Sequence, residues 1–268
     1  MTTVIYKPEK FAACDSKWSI DGREIHGVRE NKFVLFPSRS DGETHISFMC
    51  GTHIAIAVHQ ALYLQLLDYN EYFGLISRYT EAFDMQYDSV LLKLDTGEMR
   101  SRPDHSYYPL SKGNGAFHLG TGGEHAGNYY YHAPRWLRTK QRKKPPLKLL
   151  NECPIAGSVI SAYSQDKASG GKVNKIEWSD GACVASTILP VHPDYFNTYK
   201  QALVNTIREI HDMYENKTDS DKTVSASANK NHSQGSHFAR IKANAADSQA
   251  TQVTLSRALE QIKLMQSL

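Results

Sequence analysis

The sequence is poor in cysteine. Its four (Cys14, Cys50, Cys153, Cys183) are widely spaced and form no CxxC pair. They read as reduced, mostly buried thiols in a cytoplasmic protein. Long apolar runs are missing too, so no stretch is read as a membrane span. The first residues lack the apolar core of a secretory signal. Excess charge of one sign is absent: 31 basic against 28 acidic residues leave +3. That balance says little about nucleic acid. There is no Gly-Lys-Ser/Thr phosphate loop, and the Gly-Gly pairs at 122–123 and 170–171 lack the dinucleotide spacing. Twelve histidines include no HExxH. No metal centre and no other cofactor is expected.

What is present is an alternation of hairpins and helix pairs. Strands are expected at 4–6 and 11–14, followed by turns at Asp21-Gly22 and Asp41-Gly42. Further strands fall at 31–36 and 45–50. The period then changes at Gly51. Ile54, Val58, Leu62 and Leu66 recur every four residues, which predicts a helix over 52–69. A second helix follows at 70–82, then a hairpin opening with 88–94. Phe117 to Leu119 runs into a glycine turn, with a helix from Gly123. Another helix ends near 163, after Pro145-Pro146. Residues 173–178 and 182–189 form a last hairpin, and Tyr195 to Tyr214 a last helix with Tyr199, Leu203, Ile207, Ile210 and Met213 on one side. This order favours an α+β fold, a four-layer αββα sandwich, over a doubly wound parallel sheet.

Three segments are expected: a domain over 1–214, a flexible low-complexity linker over 215–250, and a short amphipathic helix over 251–268. The last carries Leu255, Leu259, Ile262 and Met265 at helical spacing. A basic run from Arg135 to Lys148 contains no acid and few aromatics. It reads as an exposed rim and not as a nucleic-acid platform.

The first residues carry the chemical suggestion. Removal of Met1 would leave Thr2 with a hydroxyl and a free α-amine on one residue. A threonine hydroxyl needs a base, and an N-terminal amine with a pKa of roughly 7.7 to 8.0 can serve. Four further stretches stand with it: Ala13-Cys14-Asp15-Ser16, Asn31-Lys32, Gly120-Thr121-Gly122, and Asp166-Lys167-Ala168-Ser169-Gly170-Gly171. Singly, each is an ordinary turn, cap or surface residue set. In this order, with these intervening elements, residues 2 to 211 resemble the N-terminal nucleophile hydrolases of the proteasome β-subunit and HslV type. They are also similar to small bacterial and phage proteasome-like proteins.

The resemblance implies roles. Thr2 stands where the nucleophile would be, and Asp15 and Lys32 where the buried pair beside it would be. Asp166 and Ser169 stand where the residues holding the threonine amine would be. Thr121 occupies a position that is usually serine. Gly51 matches the glycine whose N–H forms the oxyanion hole. Met49, two residues earlier, alternates toward the same side, as a substrate-pocket residue would. The spacing from Thr2 to Asp15 is shorter than usual. The implied activity is threonine-type endopeptidase action on unfolded polypeptide within a homo-oligomeric ring or stack, with an unfoldase as a possible feeder. Two other readings stay open: a catalytically silent assembly protein on the same fold, and an amidase of small molecules.

Overall fold

The computed structural model describes residues 2–20, 23–24, 28, 30–38, 41–83, 85–101, 116–138 and 153–225. The chain divides into two compact units. The first takes in residues up to Ile56 and Gln86–Phe196, and the second Ala57–Met85 with the residues from Asn197 onward.

The first unit holds both sheets. Strands β1 (Val4–Lys7) and β2 (Phe11–Asp15) form the first hairpin, and β3 (Ser19–Ile20) pairs with β4 (Arg23–Glu24) in a short ribbon. Then come β5 (Phe33–Pro37), β6 (Thr44–Gly51), β7 (Tyr87–Lys93), β8 (Met99–Ser101), β9 (Phe117–Leu119), β10 (Val173–Ser179) and β11 (Ala182–Ser186). One sheet has the order β11-β10-β2-β1-β9, the other β5-β6-β7-β8. Every pairing in both is antiparallel.

Alternation explains the layers. Successive strand residues point to opposite faces. Val4, Tyr6, Ala12 and Cys14 therefore face one way. They share a buried core with Phe33, Leu35, Ile46, Phe48, Cys50, Val90 and Leu92 of the other sheet. Ile5, Phe11 and Ala13 face the other way and pack with Ala126, Ile155 and Val159. Those last three lie on α3 (Gly123–Arg138) and α4 (Pro154–Ala162). β1 and β2 are buried on both faces, which is why they read as continuous apolar runs.

The second unit contains most of α1 (His53–Tyr63), α2 (Tyr69–Ala82) and most of α5 (Tyr195–Ser225). Tyr199 donates to Gln60 at 2.9 Å, and the rings of Tyr79 and Tyr214 meet at 5.5 Å. Leu203, Ile207 and Ile210 are buried, whereas Met213 at the end of that row is half exposed. Two antiparallel sheets with helical layers make the αββα-like arrangement expected from the order of elements. Among the described residues, no helix is long and apolar enough to cross a membrane.

Some boundaries differ from expectation. The helix read over 52–69 ends at Tyr63. Gln65 adopts φ 61°, and the Leu66 N–H reaches back to the Ala61 carbonyl at 2.8 Å. That left-handed residue with its backward bond is a helix-ending motif usually built on glycine. A new helix then starts at a capping box, in which Asp68 and Glu71 each accept from the other's backbone N–H. The final helix continues past Tyr214 to Ser225. The turn at Asp21-Gly22, most of the basic run, and the chain beyond 225 fall outside the described residues.

Candidate active site

Thr2 lies just ahead of β1, and Asp15 is the last residue of β2. The β1–β2 hairpin sets these two side by side: Val4 pairs with Cys14, and the Asp15 N–H donates to the Thr3 carbonyl at 3.2 Å. Lys32 sits one residue before β5, where its carbonyl accepts from the Met49 N–H of β6 at 2.8 Å. The lysine thus enters from the second sheet. The 166–170 turn, held by β10 pairing with β2, closes the remaining side.

Thr2, Asp15 and Lys32 are all buried. The Thr2 hydroxyl donates to Asp15 Oδ1 and accepts from Lys32 Nζ. Lys32 Nζ also donates to Asp15 Oδ2 at 3.0 Å. Asp15 accepts three backbone N–H groups as well, from Thr3 at 2.8 Å, Gly170 at 3.1 Å and Lys17 at 3.2 Å. A carboxylate held by that many donors is fixed in place, and a fixed partner is what a buried lysine needs.

A second network adjoins the first. Asp166 Oδ2 accepts from Thr121 Oγ and from Ser169 Oγ, both at 2.7 Å, and Oδ1 accepts from the Ala168 N–H at 2.9 Å. Ser169 spends its one proton on Asp166. The 2.6 Å contact between Ser169 and Thr3 therefore runs from the Thr3 hydroxyl to Ser169. Ser169 meets Thr3, a residue the sequence reading had not singled out. Thr3 joins the two networks, its N–H on Asp15 and its hydroxyl on Ser169.

Partial burial pulls the Asp166 carboxyl up, but the Thr121 and Ser169 hydroxyls and the Ala168 N–H outweigh it. The net result holds this acid below its usual range. A depressed folded value means the stabilisation is full above the ordinary carboxylate pKa of about 3.9. It is lost as pH falls through the lower folded value. The melting temperature of the wild type should therefore exceed that of Asp166→Asn by a constant margin at neutral pH, and the margin should shrink below about pH 4. A margin that held steady down to pH 2 would refute this.

Two glycines are dictated by close approach. Gly51 has φ 137°, and a Cβ there would stand 2.0 Å from the Gln86 carbonyl oxygen. Gly120 has φ 78°, and its Cβ would stand 1.9 Å from the Thr2 carbonyl oxygen. Side chains are disfavoured at such φ values and have no room in either place. Gly51 ends β6, with Thr52 alone between it and the first residue of α1. Met49 is fully buried on the strand face opposite Phe48 and Cys50.

Two thiols lie in the same neighbourhood. Burial and the Asp15 charge push the Cys14 thiol far up, and burial with the Asp88 charge does the same to Cys50. Both stay protonated, so neither is a thiolate nucleophile. One group of possible metal ligands occurs among the described residues, Asp41, Glu43 and His45. Its carboxylates already face Lys93 and Arg100.

Trp18 carries no signal at the level of spacing. It is buried, with its ring 5.3 Å from Lys32 Nζ. The Gly170 and Lys17 N–H donors were equally invisible, since any residue type has a backbone N–H.

No family model matches the chain, and no curated protein matches it. Solved structures do. BPH of Thiobacillus denitrificans, in complex with epoxomicin, matches 67% of this chain and 100% of its own at 17% identity, with a TM-score of 0.43. Anbu from Hyphomicrobium sp. strain MC1 matches 79% of this chain and 97% of its own at 14% identity, with a TM-score of 0.40. The chain is similar to these in backbone, and neither fixes what it does. Its own two antiparallel sheets and helical layers give an αββα-like arrangement.

Proposed function

We propose that the chain is an N-terminal threonine endopeptidase acting on unfolded polypeptides in the cytoplasm, working in a homo-oligomeric assembly. The observation that carries this reading is the Thr2 hydroxyl, buried between the Lys32 ammonium and the Asp15 carboxylate. Nothing in an ordinary core requires a hydroxyl to receive a lysine and donate to an aspartate at once.

In this reading Met1 is removed first. That step frees the Thr2 amine next to its own buried hydroxyl. The amine takes the hydroxyl proton, and Oγ attacks the carbonyl carbon of the scissile peptide. Negative charge develops on the carbonyl oxygen, which the Gly51 N–H meets. Lys32 offsets charge on the attacking oxygen, and Asp15 holds Lys32 in place. The tetrahedral intermediate collapses, and the amine proton passes to the leaving nitrogen. An ester on Thr2 remains. Water, activated by the same amine, hydrolyses it and restores the hydroxyl. Asp166, Ser169 and Thr121 brace the start of the chain through Thr3.

The decisive test is the mature N-terminus together with a peptide assay. A mass lacking methionine and hydrolysis of an unstructured polypeptide support the reading. A retained methionine with no hydrolysis supports a silent assembly protein.

Met49 is assigned to the pocket for the side chain preceding the cleaved bond. An unbranched, polarizable methionine favours medium to large apolar groups. Met49→Ala should shift the preferred residue at that position across a peptide library, and an unchanged preference removes Met49 from the pocket.

A further inference from the structure

Lys32 carries three N–H donors on a side chain only 2% exposed. Two go to Thr2 Oγ and Asp15 Oδ2. The face of Trp18 also stands against this ammonium, its ring centroid 5.3 Å from Nζ. An ammonium over an indole face is attracted by the ring quadrupole, most strongly where water is excluded.

Trp18 is itself held on two sides. Its indole N–H donates to the Glu30 carbonyl at 2.8 Å. The His53 ring meets it edge-on at 4.8 Å, and His53 is tied to the buried Glu30 carboxylate at 3.2 Å. The ring is thus fixed in angle and depth by residue 30, two before the lysine, and by the first residue of α1.

We infer that Trp18 is a positioning residue that holds the Lys32 ammonium aimed at Thr2, acting as its third partner. The inference rests on the reading of Lys32 as part of a hydrolytic site. The charged groups around this ammonium are Asp15, the thiols of Cys14 and Cys50, and, across the indole, the Glu30–His53 pair. Of these, only Asp15 is an anion in contact with Nζ. Removing the aromatic face leaves Asp15 in place and subtracts one favourable partner of the charged form alone.

The test uses the full chain in three forms: wild type, Trp18→Phe and Trp18→Leu. Lysine Cε is labelled with carbon-13, and the Lys32 signal is assigned by its loss in Lys32→Arg. The Lys32 titration midpoint should be lower in Trp18→Leu than in the wild type, with Trp18→Phe between them. The rate of peptide hydrolysis should drop about tenfold or more in Trp18→Leu, mainly in kcat, with partial rescue in Trp18→Phe. The alkaline limb of its pH profile should move down with the midpoint. If the leucine variant does not fold, the phenylalanine variant still decides, because its weaker face must shift the midpoint partway. An unshifted midpoint in a folded variant overturns the inference even where hydrolysis is normal. A shifted midpoint in a protein that hydrolyses nothing sustains it and overturns the peptidase reading instead.

Discussion

Thr2→Ala should give a folded protein that hydrolyses no peptide. The substitution keeps Cβ and deletes the one oxygen placed between Lys32 and Asp15. Thr2 precedes β1, so no strand pairing depends on its side chain. Asp15 loses one donor and keeps four, from Thr3, Lys17, Lys32 and Gly170. The expected stability cost is therefore small, about 1–3 kcal/mol for disturbing a buried polar contact. The activity cost should be at least about 10⁴, since a missing nucleophile leaves only binding and oxyanion contacts to act. Circular dichroism and a peptide assay on matched preparations make the comparison. Cleavage by Thr2→Ala at the wild-type rate would remove Thr2 from the chemistry.

Lys32 and Asp15 should behave as one unit. Lys32→Ala removes the cation facing the attacking oxygen and should cost about 10² or more in rate. Asp15→Asn leaves a buried ammonium without its charge partner, a loss of about 3–5 kcal/mol in stability. With both removed there is no orphaned charge, so the double variant should be more stable than the sum of the two single losses predicts. Chemical denaturation of the four proteins measures the coupling. Strictly additive losses would show that the 3.0 Å contact is incidental.

Much of this architecture was legible beforehand, and the reasons are local. The continuous apolar runs of β1 and β2 and the period near four in α1 come from burial, which a sequence displays directly. Helix ends were read less well. Gln65 in a left-handed conformation gives no compositional signal, because glycine is the usual marker. The Asp68–Glu71 capping box was available as a signal and would have split the helix read over 52–69 from its successor. Lys32 was read inside a strand, whereas β5 begins at Phe33. The site followed the same division. Residues with characteristic side chains at characteristic spacing, such as Asp15 and Asp166, stood out. Thr3 did not, since its part depends on a partner 166 positions away. Trp18 did not, since an aromatic near a lysine in space leaves no trace in spacing.

The Asp15 carboxylate has an implication for the life of the chain. Its five donors come from residues 2, 3, 17, 32 and 170. On a ribosome, the first four emerge early and the last only after most of the chain has been made. β2 meanwhile lacks its β10 neighbour, and Ser169 has not arrived to receive Thr3. A truncated product ending before residue 166 carries a threonine, an aspartate and a lysine but not the turn that packs them. The far end of the domain therefore serves as a completeness check. An interrupted translation product cannot assemble the cluster, whatever has happened to its first methionine.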